Sequence, residues 1–242
     1  MMDRSYLSDA AVVAASREFV CVRLATYESA AEAKILTSVL QTRSGFLENT
    51  VFAILGPDGA TPLVRSGRSP REAVGGPPEE AVKALPIRMT ELAKKYAPTG
   101  PVGGALPLLA DLRRALNVAA CEIQPLVVVL GDVEKELLPL AWSRDYVGRF
   151  AWARSTPDEA AKVLEGKLGS VVVVQPDAYG LKGKVLASSD GKDLNAALAK
   201  GLKAFVAEPK DSRKHIDEGI RRGLVWKTEI PITDPQGPPR RY

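Results

Sequence analysis

Two apolar runs constrain this chain more than anything else in it: PLVVVLGD (125–132) and SVVVVQPDAYG (170–180). A strand with one wet face alternates apolar and polar residues, whereas PLVVVLGD has no polar position to turn outward. Such a continuous apolar run belongs to a strand covered on both faces, and SVVVVQPD opens a hairpin with GKVLASS. Each ends in turn chemistry, Gly-Asp in one case and Pro-Asp in the other, because proline presets φ and aspartate bonds nearby amides. The gesture also occurs earlier, in VFAILGPDG (51–59) followed by PLVRSGR (62–68), so two hairpins are expected. Layers must then cover both sheet faces, which points to an α/β fold.

The rest of the chain supplies those layers. In the first half, Ser8 or Asp9 caps a helix over AAVVAAS, and EFVCVRL (18–24) reads as a mostly buried strand. SAAEAKILTSVLQ (29–41) has helical spacing behind a Ser29-x-x-Glu32 capping box. The spacing predicts a further helix over 79–97, kinked at Pro86. PTGPVGGALP (98–107) has almost nothing to bury and reads as a linker. Beyond it come a helix over LLADLRRALNVA, the first valine strand, and a helix over 133–148. A short strand RFAWAR (149–154) follows, then a helix over 158–168 capped by Asp158, the second hairpin, and a closing helix over 193–206. The order α-β-α-β-α-β-β-α implies right-handed parallel crossovers with a late antiparallel edge. The expected parts are 1–97, a linker at 98–107, 108–208, and a helix with a tail over 209–242.

Composition narrows the function classes. The 242 residues are 45% hydrophobic with a net charge of +4, ordinary for a globular chain. The basic residues are dispersed, apart from adjacent pairs such as Arg221-Arg222 and Arg240-Arg241 near the end, so no nucleic-acid partner is expected. With two cysteines, no CxxC and one histidine, neither a structural zinc site nor a disulfide framework is expected. No GxxxxGK[ST], GxGxxG or GxSxG motif occurs, and no cofactor is expected. No apolar run reaches the roughly 20 residues of a membrane span, and Met1-Met2-Asp3-Arg4 opens no signal peptide. A soluble, cytoplasmic protein is the expectation, although an exported form without its leader would read the same.

The words and their order resemble the thioredoxin-like superfamily. VFAILGPDG, its return strand and the helix behind them are similar to the fourth and fifth strands of that fold. YLSDAAVVAASREFVCVRLATYES resembles a subgroup in which a redox helix precedes such a segment. The likeness covers 5–70 and, through topology, 108–206. It implies two tandem domains, the first without its opening strand–helix unit. It also implies where this chain departs from the family. Met1-Met2-Asp3-Arg4 stands where the CxxC helix would lie, and the loop GDVEKELL after PLVVVL has no cysteine. Thr50 and Gly169 occupy the positions of the family's cis-proline. Without a dithiol there is no intramolecular disulfide to exchange.

Individual candidates remain to be placed. Cys21 reads as core packing, or as a thiol activated by Arg23 two residues along. Cys121, at a helix end, reads as exposed; a Cys21–Cys121 disulfide would bridge the domains. His215, in RKHIDEG near Asp211, Asp217 and Glu218, belongs either to an acid–base or metal cluster or to a solvated helix face of mixed charge. Asp58 and Asp177 share turn positions, and turn chemistry accounts for both. GLVWKTEIPITDPQGPPRRY (223–242) is expected to run extended across its own chain or a neighbouring subunit.

The function expected from the resemblance is a non-catalytic scaffold that binds a protein or peptide. The rival is a thiol-dependent oxidoreductase whose CxxC segment is missing from this chain or supplied by a partner. A third reading is a homodimer in which a neighbour's strand fills the gap in the first domain.

Overall fold

A computed structural model of the protein describes residues 6–24, 29–40, 51–97, 104–208 and 212–224. Thr50, residues 98–103 of the expected linker and the tail over 225–242 lie outside the described residues. The described residues divide into two units, the first within 6–97 and the second within 104–224. Among the described residues are eight α-helices and one five-stranded mixed sheet, an α/β architecture.

In the second unit the valine runs do what their composition requires. They form β1 (Leu126–Val129) and β4 (Val171–Pro176), paired antiparallel with Val127 opposite Val173. Successive side chains of a strand point to opposite faces, so each run feeds two cores. Val127, Val129, Val171 and Val173 pack with Leu137, Tyr146, Phe150, Trp152 and Leu198 on one face. Leu126, Val128, Val172 and Val174 pack with Leu112, Leu116, Ala160 and Leu164 on the other. All eight apolar residues from 126–129 and 171–174 are at most 1% exposed. Full burial of such a side chain contributes about 2 kcal/mol.

The covering helices are α5 (Glu134–Ala141) and α7 (Leu194–Ala204) on the first face, and α4 (Leu112–Glu122) and α6 (Pro157–Val163) on the second. β2 (Ala151–Arg154) runs parallel to β1, and β5 (Gly183–Ser189) completes the hairpin with β4. The strand order is β2-β1-β4-β5-β3. The last, β3 (Leu164–Glu165), is a two-residue edge alongside β5 that the sequence pattern does not announce. Two further details differ from expectation. Thr156, not Asp158, caps α6 by accepting from the Glu159 amide. Leu106, within the expected linker, is buried in the first core. A final helix, α8 (Ser212–Arg221), follows α7.

The first unit is built more loosely. α1 (Ala10–Ser16) is capped by the Asp9 carboxylate, which accepts from the amides of Ala11 and Val12. α2 (Ala30–Val39) is capped by Ser29 as the capping box predicts. α3 (Pro78–Lys95) is one continuous helix through Pro86, burying Ala81, Leu85, Met89 and Leu92 at a spacing of three to four residues. These meet Tyr6, Val12, Ala15 and Ile54 in the unit's core.

The expected hairpin over 51–68 forms, but as two isolated bridges, Phe52 with Gly67 and Leu55 with Pro62. The outgoing side covers three residue steps between bridges and the returning side five, so no regular ladder survives. The expected strand over 18–24 does not form. Its residues are irregular, with Val20 59% and Val22 72% exposed. The turn closing α1, with Phe19 N–H donating to Ser16 O at 3.0 Å, delivers only Phe19 to the core. An alternating apolar run becomes a strand only beside a neighbouring strand, and among the described residues 18–24 belong to no strand or bridge.

Candidate functional site

The carboxyl end of β1 gathers four segments. The amides of Leu130 and Gly131 both donate to Ser170 O, at 2.8 and 3.0 Å, tying the loop after β1 to the residues before β4. Ser155 N–H donates to Val129 O at 3.1 Å and brings the end of β2 alongside. A side chain could not be added at either glycine of this junction. A Cβ on Gly131 would stand 2.8 Å from Ser170 Cβ, and one on Gly169 would stand 2.6 Å from Ser189 O. Gly169 is thus held by close packing against β5, which leaves no room for a ring or a branch.

The polar groups here are hydroxyls, backbone groups and an ion pair. Ser155 Oγ donates to the Glu159 carboxylate at 3.2 Å, and Ser189 Oγ accepts from Gly191 N–H at 3.2 Å. Glu134, in the first turn of α5, pairs with Arg154 at the end of β2. Both side chains remain partly exposed, so this pair contributes at most about 1 kcal/mol. The surface can bind by hydrogen bonding and charge. The loop Gly131-Asp132-Val133-Glu134 carries no thiol.

A second polar cluster lies at the opposite end of the sheet, on the β4–β5 turn. The Asp177 carboxylate accepts from the amides of Tyr179 (2.9 Å), Leu181 (2.9 Å) and Lys182 (3.0 Å), so turn chemistry does account for it. Asp58 plays the matching part in the first unit. It accepts from the Ala60 and Thr61 amides and the Thr61 hydroxyl, and these bonds, the hydroxyl's foremost, hold its pKa down to about 2. Arg113 of α4 donates to Gly180 O, and desolvation lowers its pKa.

The sequence candidates are dispersed over these places. His215 is on α8, half-buried, with its ring stacked on Tyr179 at 4.2 Å between centroids and 11° between planes. The stack makes it a packing residue against that ring. Among the described residues no group of three or more metal-ligating side chains exists. Cys21 is a correction: it is exposed in the irregular segment after α1, not inside a buried strand. Its thiol donates to Ser16 O at 3.5 Å, and nearby protein atoms desolvate it enough to raise its pKa, the reverse of activation by Arg23. Cys121 is exposed at the end of α4, its thiol 4.0 Å from Asn117 Oδ1, and neither cysteine is in a disulfide. Among the described candidates of the second unit, Gly169 lies at the end of β1.

Sequence reasoning missed the Glu134–Arg154 pair and the Tyr179–His215 stack. Gly219, a glycine inside a charged helix, is the only sequence hint of the second, since such a glycine often marks a close approach. Among the described residues no helix is long and apolar enough to cross a membrane. Comparison with family models, with curated proteins and with solved structures finds no match.

Proposed function

We propose that the protein is a non-catalytic member of the thioredoxin-like superfamily, serving as a scaffold that binds a protein or peptide. The reading is supported by the order of the second unit. A parallel β1–α5–β2 crossover is followed by the antiparallel β4–β5 hairpin and α7, in the strand order β2-β1-β4-β5. The first unit shares the hairpin-then-helix half of that pattern, through the bridges over 52–67 and α3. The reading of tandem related units rests on this shared half.

The observation that carries the functional reading is the junction at the end of β1. Where a redox member of the superfamily would set a dithiol, this chain has Gly131-Asp132-Val133-Glu134, tied to Ser170 by the Gly131 amide. Hydroxyls, amides and the Glu134–Arg154 pair suit recognition of a polypeptide rather than electron transfer. Reduction of insulin disulfides by dithiothreitol tests this directly. The protein is expected to leave the precipitation rate unchanged, and turnover above the buffer control would reject the reading.

A further inference from the structure

The way α8 is held differs from the attachment of every other helix of the second unit. None of its described side chains belongs to either apolar core. Its two isoleucines, Ile216 and Ile220, are 58% and 56% exposed, one turn apart on the same outward ridge. The described contacts that hold it converge on one ring, Tyr179 at the tip of the β4–β5 hairpin.

That ring is clasped from two sides. The His215 imidazole stacks on it at 4.2 Å, and the Arg222 guanidinium lies 5.3 Å from its centroid. These two residues are seven apart, about two turns along one helical face, and the ring meets both. Gly219 makes the seat: a Cβ there would stand 3.2 Å from Tyr179 Cε1. The Tyr179 hydroxyl donates to His215 O at 3.3 Å. Glu218 aims the clasp by accepting from Arg222 Nε at 2.7 Å, with Arg221 on its other oxygen. The Arg222 bond, first among the causes, lowers the Glu218 pKa.

We propose that α8 is a strap that docks on the β4–β5 turn and releases from it as a body, with Tyr179 as its latch. A helix whose described fastening centres on one ring opens at a cost to which that ring contributes, whereas the sheet opens only when its two cores do. Release separates the hairpin tip from α8 while β1, β4 and the helices over them stay folded.

Backbone hydrogen exchange on the full chain tests the strap. In the native protein the α8 amides are expected to exchange faster than those of β1 and β4. Tyr179→Ala is expected to accelerate α8 about tenfold, the scale of one aromatic and one cation–π contact, with β1 and β4 unchanged. Tyr179→Phe keeps the stack and is expected to change α8 exchange less than about threefold. Gly219→Leu leaves the hairpin untouched and raises helix propensity, yet fills the seat; it is expected to accelerate α8 exchange despite the better helix former. Equal protection of α8 and the sheet, unchanged exchange in Tyr179→Ala, loss of the whole fold in that variant, or slower exchange in Gly219→Leu would each overturn the proposal.

Discussion

Gly201 of α7 rests directly on Val173 of β4: a Cβ added to the glycine would stand 2.8 Å from Val173 Cγ2 and nearer still to its Cβ. Val173 is fully buried and paired on both sides, with Val127 and with Ala187, so it has nowhere to move. Helix propensity alone would favour Gly201→Ala by about 1 kcal/mol. The overpacking of a tight helix–sheet contact costs about 1–3 kcal/mol. The variant is expected to be destabilised, with a lower urea midpoint at unchanged slope; a raised midpoint would mean that α7 can lift off the sheet.

Asp58 makes stability depend on acid. Its carboxylate is held down to about 2 by the Thr61 hydroxyl and the amides of Thr61 and Ala60, against about 3.9 in an unfolded chain. A depressed carboxylate stabilises the fold above the unfolded value and loses that contribution as pH falls through the folded one. The gap in urea midpoint between the native protein and Asp58→Asn should therefore be widest above pH ~4 and shrink towards pH ~2. A gap that does not change with pH would contradict this.

Ile123 sits at the end of α4 in the left-handed region, with φ 54° and ψ 50°. A β-branched residue there carries about 1–2 kcal/mol of strain, and its side chain, 36% exposed, joins none of the buried clusters to offset it. Glycine is the usual occupant of such a position. Ile123→Gly is expected to raise stability by about 0.5–1 kcal/mol, seen as a thermal midpoint higher by a few degrees. No increase would place the side chain's packing above its backbone strain.

Cys21 should be a slow thiol. Desolvation raises its pKa, so its thiolate fraction at neutral pH falls below that of a free cysteine. In a Cys121→Ser background, its reaction with a disulfide reagent at pH 7 should be slower than that of free cysteine, and should accelerate as pH rises. Faster reaction than the free amino acid would mean that a cation activates the thiol after all.

Much of the second unit was legible in the chain. An unbroken apolar run fits only a doubly covered strand, and short connections leave few ways to place the helices, so the order from α4 to α7 could be read directly except for β3, which stands where the helix over 158–168 was expected to continue. The turns at Asp58 and Asp177 were equally readable, because the chemistry is local to a few residues. EFVCVRL was misread for the opposite reason. Its alternation is a local property, while a strand needs a partner elsewhere in the chain. The cap of α6 moved from Asp158 to Thr156 because Pro157 suits the first helical position and sets the cap one residue before it. The candidate site divided in the same way. Gly169 could be located from its place before the second hairpin, but the Glu134–Arg154 pair joins two elements twenty residues apart.

By itself, then, the sequence determined the α/β class, the double coverage of β1, both hairpin turns and the missing thiol in the loop after β1, since each depends on residue type and near neighbours. Only the tertiary structure decided that Cys21 lies in the open, that Gly201 is pressed onto Val173, and that His215 and Arg222 close around Tyr179. Those outcomes depend on which distant groups arrive beside a residue, and periodicity along a chain does not record that.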